Sequence, residues 1–145
     1  RMLCAVRLGH LMRNADIIQL SDEDLTWLYP DRPLDVALAE CRAQCNAALF
    51  ILTLGSDGAC GFVETGDIHV PATKTQTIID TVGAGDTFMA SILGWVIETG
   101  YLTPDDLRAT DVSSLENALT KAAKAAAFNC EHSGCNPPWR HQTEL

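Results

Sequence analysis

The chain has 145 residues, 47% of them hydrophobic, and its 10 Lys and Arg face 19 Asp and Glu, for a formal charge of −9 and a pI near 4.7. That length suits one domain at most, with a sizeable core, and the acidity argues against nucleic acid or an anionic membrane as a general partner. The longest apolar stretch beside the central motif, residues 88–97, is too short to cross a bilayer, and no signal-peptide pattern opens the chain, so the composition reads as a soluble cytoplasmic enzyme.

In chain order, the pattern predicts a helix over 3–12, already under way at Arg1, then a strand over 16–20. Ser21 is placed to cap an acid-rich helix that runs through Trp27. A proline-rich link over 30–33 leads to a helix over 34–45 and an apolar strand over 48–54 that ends in Gly55-Ser56-Asp57-Gly58, a tight turn. Short strands over 59–64 and 67–71 follow, joined by a Thr65-Gly66 turn. A helix is expected over 84–98, another begins with Pro104 at its first position, and 111–130 carries one or two more. Strands alternating with helices favour an α/β domain with a mostly parallel sheet covered on both faces. The six cysteines show neither a C-x-x-C pair nor a zinc spacing, which leaves free thiols in a reducing compartment.

The segment Asp80-Thr81-Val82-Gly83-Ala84-Gly85-Asp86-Thr87-Phe88 carries the chemistry. The first-turn amides of the helix that follows have no intrahelical partner and sit at the positive end of the dipole, so an anion is stabilised there. Gly83 and Gly85 lack Cβ atoms, which lets the backbone approach a phosphate closely. Asp86 can serve the helix dipole; beside a phosphate pocket it is also placed to take a proton from an attacking hydroxyl as general base. No G-x-x-x-x-G-K-[ST] run exists, and Gly83-x-Gly85 lacks the third glycine of a dinucleotide fingerprint.

These nine residues resemble the C-terminal signature of the ribokinase-like, or phosphofructokinase B (PfkB), carbohydrate kinases. The resemblance implies a layered α/β/α fold of ribokinase type, with Asp86 as catalytic base and Gly83, Ala84 and Gly85 as the anion hole. It also offers Asp80 for a monovalent cation such as K⁺, against the alternative of a turn or capping residue. Upstream, Thr53-Leu54-Gly55-Ser56-Asp57-Gly58 is similar to the T-L-G-x-x-G loop of the same kinases, which implies that Thr53, Gly55, Ser56 and Gly58 border ATP. Ser21 and Asp24 occupy the places of the family's N-x-x-E pattern, so Asp24 is offered to hydrated Mg²⁺; an acidic first turn serving the dipole is the alternative.

The tail, Phe128-Asn129-Cys130-Glu131-His132-Ser133-Gly134-Cys135-Asn136-Pro137-Pro138, looks like the closing loop of fructokinases and 2-keto-3-deoxygluconate kinases, with His132 where relatives often carry Arg. The Asn-Pro-Pro ending tilts the implied substrate toward fructose or a keto-deoxy sugar acid. The resemblance covers the whole chain but only the C-terminal half of the family's domain, without its sugar pocket and β lid. The 145 residues alone are therefore expected to bind nucleotide weakly and to phosphorylate sugar poorly or not at all. The implied function is ATP-dependent phosphoryl transfer to a sugar hydroxyl, in a full-length protein that is a candidate homodimer. The alternative is a noncatalytic nucleotide-binding remnant or regulatory module.

Overall fold

The computed structural model describes residues 2–143, with side chains over 7–142. The elements run α1 (Met2–Met12), β1 (Ile17–Ser21), α2 (Asp22–Leu28), α3 (Leu34–Ala43), β2 (Leu49–Thr53), a single 3-10 turn (Gly55–Asp57), β3 (Ala59–Val63) and β4 (Gly66–Val70). They continue as α4 (Ala84–Thr99), α5 (Pro104–Arg108), α6 (Val112–Cys130) and α7 (Arg140–Thr143).

The four strands form one sheet in the order β1-β2-β3-β4. β1 pairs with β2 in parallel, and β2–β3 and β3–β4 are antiparallel. The expectation of a mostly parallel sheet is thus corrected at the level of ladders: the sheet is mixed. Its strand directions still favour one sense, because β4 reverses β3 and so points with β1 and β2. The reason is local. Glu64 and Thr65 form a turn of hairpin length, with Gly66 at φ 152 opening β4, and two strands joined so tightly must be antiparallel.

β2 reads Leu-Phe-Ile-Leu-Thr because both of its faces are covered. Leu49 and Ile51 turn to one side, where they join Ala59, Val70, Phe88, Ile92, Leu115 and Leu119 in a core built with α4 and α6. Phe50 and Leu52 turn to the other and join Leu20, Leu25, Ala37, Cys41 and Phe62 against α2 and α3. The result is the expected α/β/α layering. Gly61 lets α6 lie on the sheet, since a Cβ there would stand 2.7 Å from Leu119 Cδ1 and 3.0 Å from Leu115 Cδ2.

The helix ends follow their side chains. Thr103 and Asp106 form a capping box with Pro104 at the first position of α5, and Asp111 caps α6 through the Ser114 amide at 2.9 Å. Residues 111–130 therefore carry one helix. α3 stops at Ala43, two residues short of the expected end. The tight turn expected at 55–58 is the 3-10 turn, and α7 has no counterpart in the sequence reading. The five cysteines whose side chains are described are free thiols; Cys4 lies outside the described side chains. Among the described residues no helix is long and apolar enough to cross a membrane.

Candidate active site

Strand register lines up one end of the sheet. Ser21 pairs with Thr53, Thr53 with Ala59, and Ala59 with Val70, so the C-terminal ends of β1, β2 and β4 finish in a single row. Every sequence-derived site residue lies on this row or on a segment leaving it. Ligands of open α/β sheets bind outside the carboxyl ends of the strands, which is where these segments gather.

From β1 the chain passes directly into α2. Ser21 Oγ accepts from the Asp24 amide at 3.0 Å, and Asp24 Oδ2 accepts in return from the Ser21 amide at 3.0 Å and from Ser21 Oγ at 2.7 Å. This is a complete capping box. One oxygen of Asp24 is thereby committed to holding the helix start, and Oδ1 is left over.

From β2 the chain enters the 3-10 turn. Thr53 Oγ1 donates to the Leu20 carbonyl at 3.3 Å and accepts from Gln19 Nε2 at 3.2 Å, so its side chain ties β2 to β1. Gly55 has φ 55 with open space where a Cβ would point, and Ser56 is exposed beside it. Gly58, at φ 95, is jammed against β4: a Cβ would stand 2.7 Å from the Pro71 carbonyl carbon, 2.8 Å from the Ala72 nitrogen, and closer still to the Val70 oxygen. The two glycines play different parts, one opening the loop and one closing it onto the sheet.

From β4 the segment 71–83 leads to α4. Gly83 is the N-cap of α4 at φ 77, in the left-handed region that favours glycine, and no side chain caps the helix. The Ala84 amide reaches Thr81 O at 3.2 Å and the Thr87 amide reaches Gly83 O at 2.9 Å. Among the described residues the amides of Gly85 and Asp86 have no partner. A Cβ built at Gly85 meets nothing within 4 Å, so this approach to the two amides is open. The Asp86 side chain is exposed, and no hydrogen bond or ion pair to a described residue engages its carboxylate. Thr87, the next residue, is buried with its Oγ1 unpartnered.

Asp80 acts on the backbone around it. Its Oδ1 accepts from the Val82 amide at 3.0 Å and its Oδ2 from the Gly134 amide at 2.9 Å. These backbone donors hold its carboxyl below the usual carboxylate range. The amides of Ile79 and Asp80 both bond the Cys130 carbonyl, at 2.8 and 3.2 Å. The tail is therefore stitched to the glycine turn.

Asn129 completes the stitch and has no assigned role in the sequence reading. It is fully buried; its Nδ2 donates to Val82 O at 2.8 Å and its Oδ1 accepts from the Asn136 amide at 2.8 Å. Cys135 packs on Gly83, where an added Cβ would stand 2.8 Å from the cysteine Cβ. The signal for Asn129 was present: it continues the buried stripe Leu115, Ala118, Leu119, Ala122, Ala125 at helical spacing, and a polar residue on such a stripe needs partners. Asn129→Leu, which strips both partners of their hydrogen bonds, is expected to lower stability by about 1–3 kcal/mol, measured as a urea midpoint shift at constant slope. His132 is occupied locally, its Nδ1 2.7 Å from Phe128 O and its ring stacked on Phe128 at 4.4 Å.

No group of three or more His, Cys, Asp or Glu side chains converges among the described residues. The site thus offers the unengaged Asp86 carboxylate, two free amides at a helix N-terminus, and a glycine-opened loop on the same edge of the sheet.

Comparison with known proteins places the chain among its relatives. The chain is 36% identical over 111 residues to a fructokinase of Rhizobium leguminosarum bv. trifolii, covering 77% of this chain and 33% of that one. It is 26% identical over 144 residues to a fructokinase of Salmonella typhimurium, covering 99% and 43%. Among solved structures, aminoimidazole riboside kinase from Salmonella enterica, complexed with aminoimidazole riboside and an ATP analog, superposes with a TM-score of 0.77 at 24% identity, over 97% of this chain and 44% of that one. Fructokinase with bound ATP from Xylella fastidiosa gives 0.75 at 25% identity, over 90% and 41%. The chain spans less than half the length of each of these four proteins. The family model for pfkB family carbohydrate kinases matches residues 4–142, and the chain belongs to that family.

Proposed function

We propose that this sequence forms the nucleotide-binding and catalytic-base part, residues 1–145, of a cytoplasmic kinase that uses ATP and Mg²⁺ to phosphorylate a sugar hydroxyl, with fructose or a related ketose as substrate. The observation that carries this reading is the pairing of the unengaged Asp86 carboxylate with unpartnered Gly85 and Asp86 amides at the start of α4. Asp86 takes the proton of the sugar hydroxyl while the new O–P bond forms and the bond to the β-phosphate breaks, releasing ADP. The amides stabilise the charge on the transferring phosphoryl oxygens, and the open space at Gly85 leaves room for them. Thr53, Gly55, Ser56 and Gly58 border ATP; the open face at Gly55 and Ser56 suits its phosphates, and Thr53 and Gly58 hold the loop.

Bound Mg²⁺ would supply positive charge against the phosphates, and because this ion keeps much of its hydration shell a single carboxylate acting through water would be enough protein contribution. Asp24 Oδ1 fits that role, since Oδ2 alone is used by the capping box. Asp80 spends one lone pair of each oxygen on an amide, and the remaining pairs can hold a monovalent cation.

The direct test is ADP release over a panel of ketoses, aldoses and sugar acids by the full-length natural gene product, since the 145 residues alone are expected to turn over poorly or not at all. Ketose-dependent ADP formation supports the reading; nucleotide binding without turnover on any sugar favours a binding module instead.

The glycine pair separates fold from phosphate binding. Gly83→Ala forces an L residue into φ 77 and against Cys135, and is expected to cost about 2–4 kcal/mol in a denaturant melt. Gly85→Ala, at a helical position with nothing nearby, is expected to leave stability equal or raise it by about 0.5–1 kcal/mol. It should nevertheless weaken phosphoryl transfer by roughly tenfold or more, because the methyl enters the anion's space.

A further inference from the structure

We propose that His69 is a positioning residue for the 55–58 loop, holding the nucleotide side of the site from β4; this rests on the reading that the loop borders ATP. His69 stands on the outer strand of the sheet, opposite Cys60 in the β3–β4 register, and is exposed. Its Nε2 lies 2.7 Å from the carbonyl oxygen of Asp57, the last residue of the 3-10 turn. A carbonyl only accepts, so Nε2 carries the proton and donates.

The loop's other hydrogen bonds are internal: Leu54 N to Gly58 O at 2.8 Å, Asp57 N to Leu54 O at 3.0 Å and Gly58 N to Gly55 O at 3.3 Å. Among the described residues, the His69 bond is the hydrogen bond that ties the turn 55–58 to another element. Next to it, Val70 and Pro71 press on Gly58. Two successive positions of β4 therefore act on two successive positions of the loop, one by a directed bond and one by contact. The bond to Asp57 O fixes the plane of the 57–58 peptide, and with it the exit of a turn whose Gly55 and Ser56 amides have no partner among the described residues. Unpartnered amides in a turn bind an anion only if their directions are held. A surface histidine with no acid–base task thus sets the geometry of a phosphate-facing turn.

The test compares His69→Ala with His69→Gln, which keeps an N–H donor on a side chain of similar reach. Amide hydrogen exchange over 54–58 is read alongside steady-state kinetics with ATP and sugar, both in the full-length gene product. His69→Ala is expected to speed exchange at Asp57 and Gly58 and to raise the KM for ATP about threefold to tenfold, the range of one hydrogen bond. The kcat and the sugar KM should stay within about twofold, and His69→Gln should recover most of the loss. A purely structural effect would instead lower the apparent kcat through a smaller folded fraction and leave both KM values unmoved, and a melting curve reads that fraction directly. Unchanged exchange in His69→Ala overturns the proposal whatever the kinetics. Faster exchange with an unmoved KM for ATP overturns it differently, since the brace then exists but the nucleotide does not meet this loop.

Discussion

Asp86→Asn is expected to abolish most sugar-dependent turnover while leaving the fold and nucleotide affinity largely intact. The change removes a base and keeps the shape. The Asp86 side chain is exposed and makes no bond to a described residue, so stability loses nothing that the structure contains beyond the helix-dipole contribution of a first-turn carboxylate, about 0.3–1 kcal/mol. Turnover loses a general base, worth on the order of 10²- to 10⁴-fold. The expected result is a kcat lower by that factor with the KM for ATP within a few-fold of the parent. Retained turnover in Asp86→Asn would remove Asp86 from the mechanism. A dipole role alone predicts the opposite balance, a small stability loss and unchanged kcat.

Gly58→Ala is expected to be the most damaging single methyl in the chain. The position combines φ 95 and ψ −137, which an L residue does not adopt at low cost, with three backbone atoms of residues 70–72 inside the new side chain's radius. Backbone cannot rotate away as a side chain can. The substitution should cost about 4 kcal/mol or more, seen as a large fall in denaturant midpoint or as failure to accumulate folded protein. Gly55→Ala supplies the control: it has a left-handed φ of 55 but open space, so the cost should be about 1–2 kcal/mol. Equal effects at the two glycines would mean that close approach to β4 is not what Gly58 is for.

Much of this was legible in the chain itself, for identifiable reasons. Ser21, Thr103 with Pro104, and the glycine-bounded α4 are local signals, and local signals set helix ends. The apolar run Leu49–Thr53 announced a strand buried on both faces. Strand order was not legible in the same way. Periodicity tells which face a strand buries, not which neighbour it takes, so the order β1-β2-β3-β4 had to come from the sheet.

The motif residues could be picked out by their spacing, whereas the residues that support them could not. Asp80 meets Gly134 and Asn129 meets Val82 across separations of 54 and 47 residues, and no local pattern encodes a meeting at that distance. Asp24 is the converse case. Ser-x-x-Asp is a short-range capping signature, and the structure uses it as one, leaving a single oxygen for any further task.

The stitching of the glycine turn to the tail also fixes when the site can come into being during synthesis. Residues 80–86 leave the ribosome well before their supports, since 54 residues of chain separate Asp80 from Gly134. At about 5–20 residues per second, that interval is roughly 3–11 s in which the nascent chain carries the glycine turn without Gly134 to hold it. The turn at 80–86 is therefore held in place only after Gly134 has been made, however early its own residues are translated.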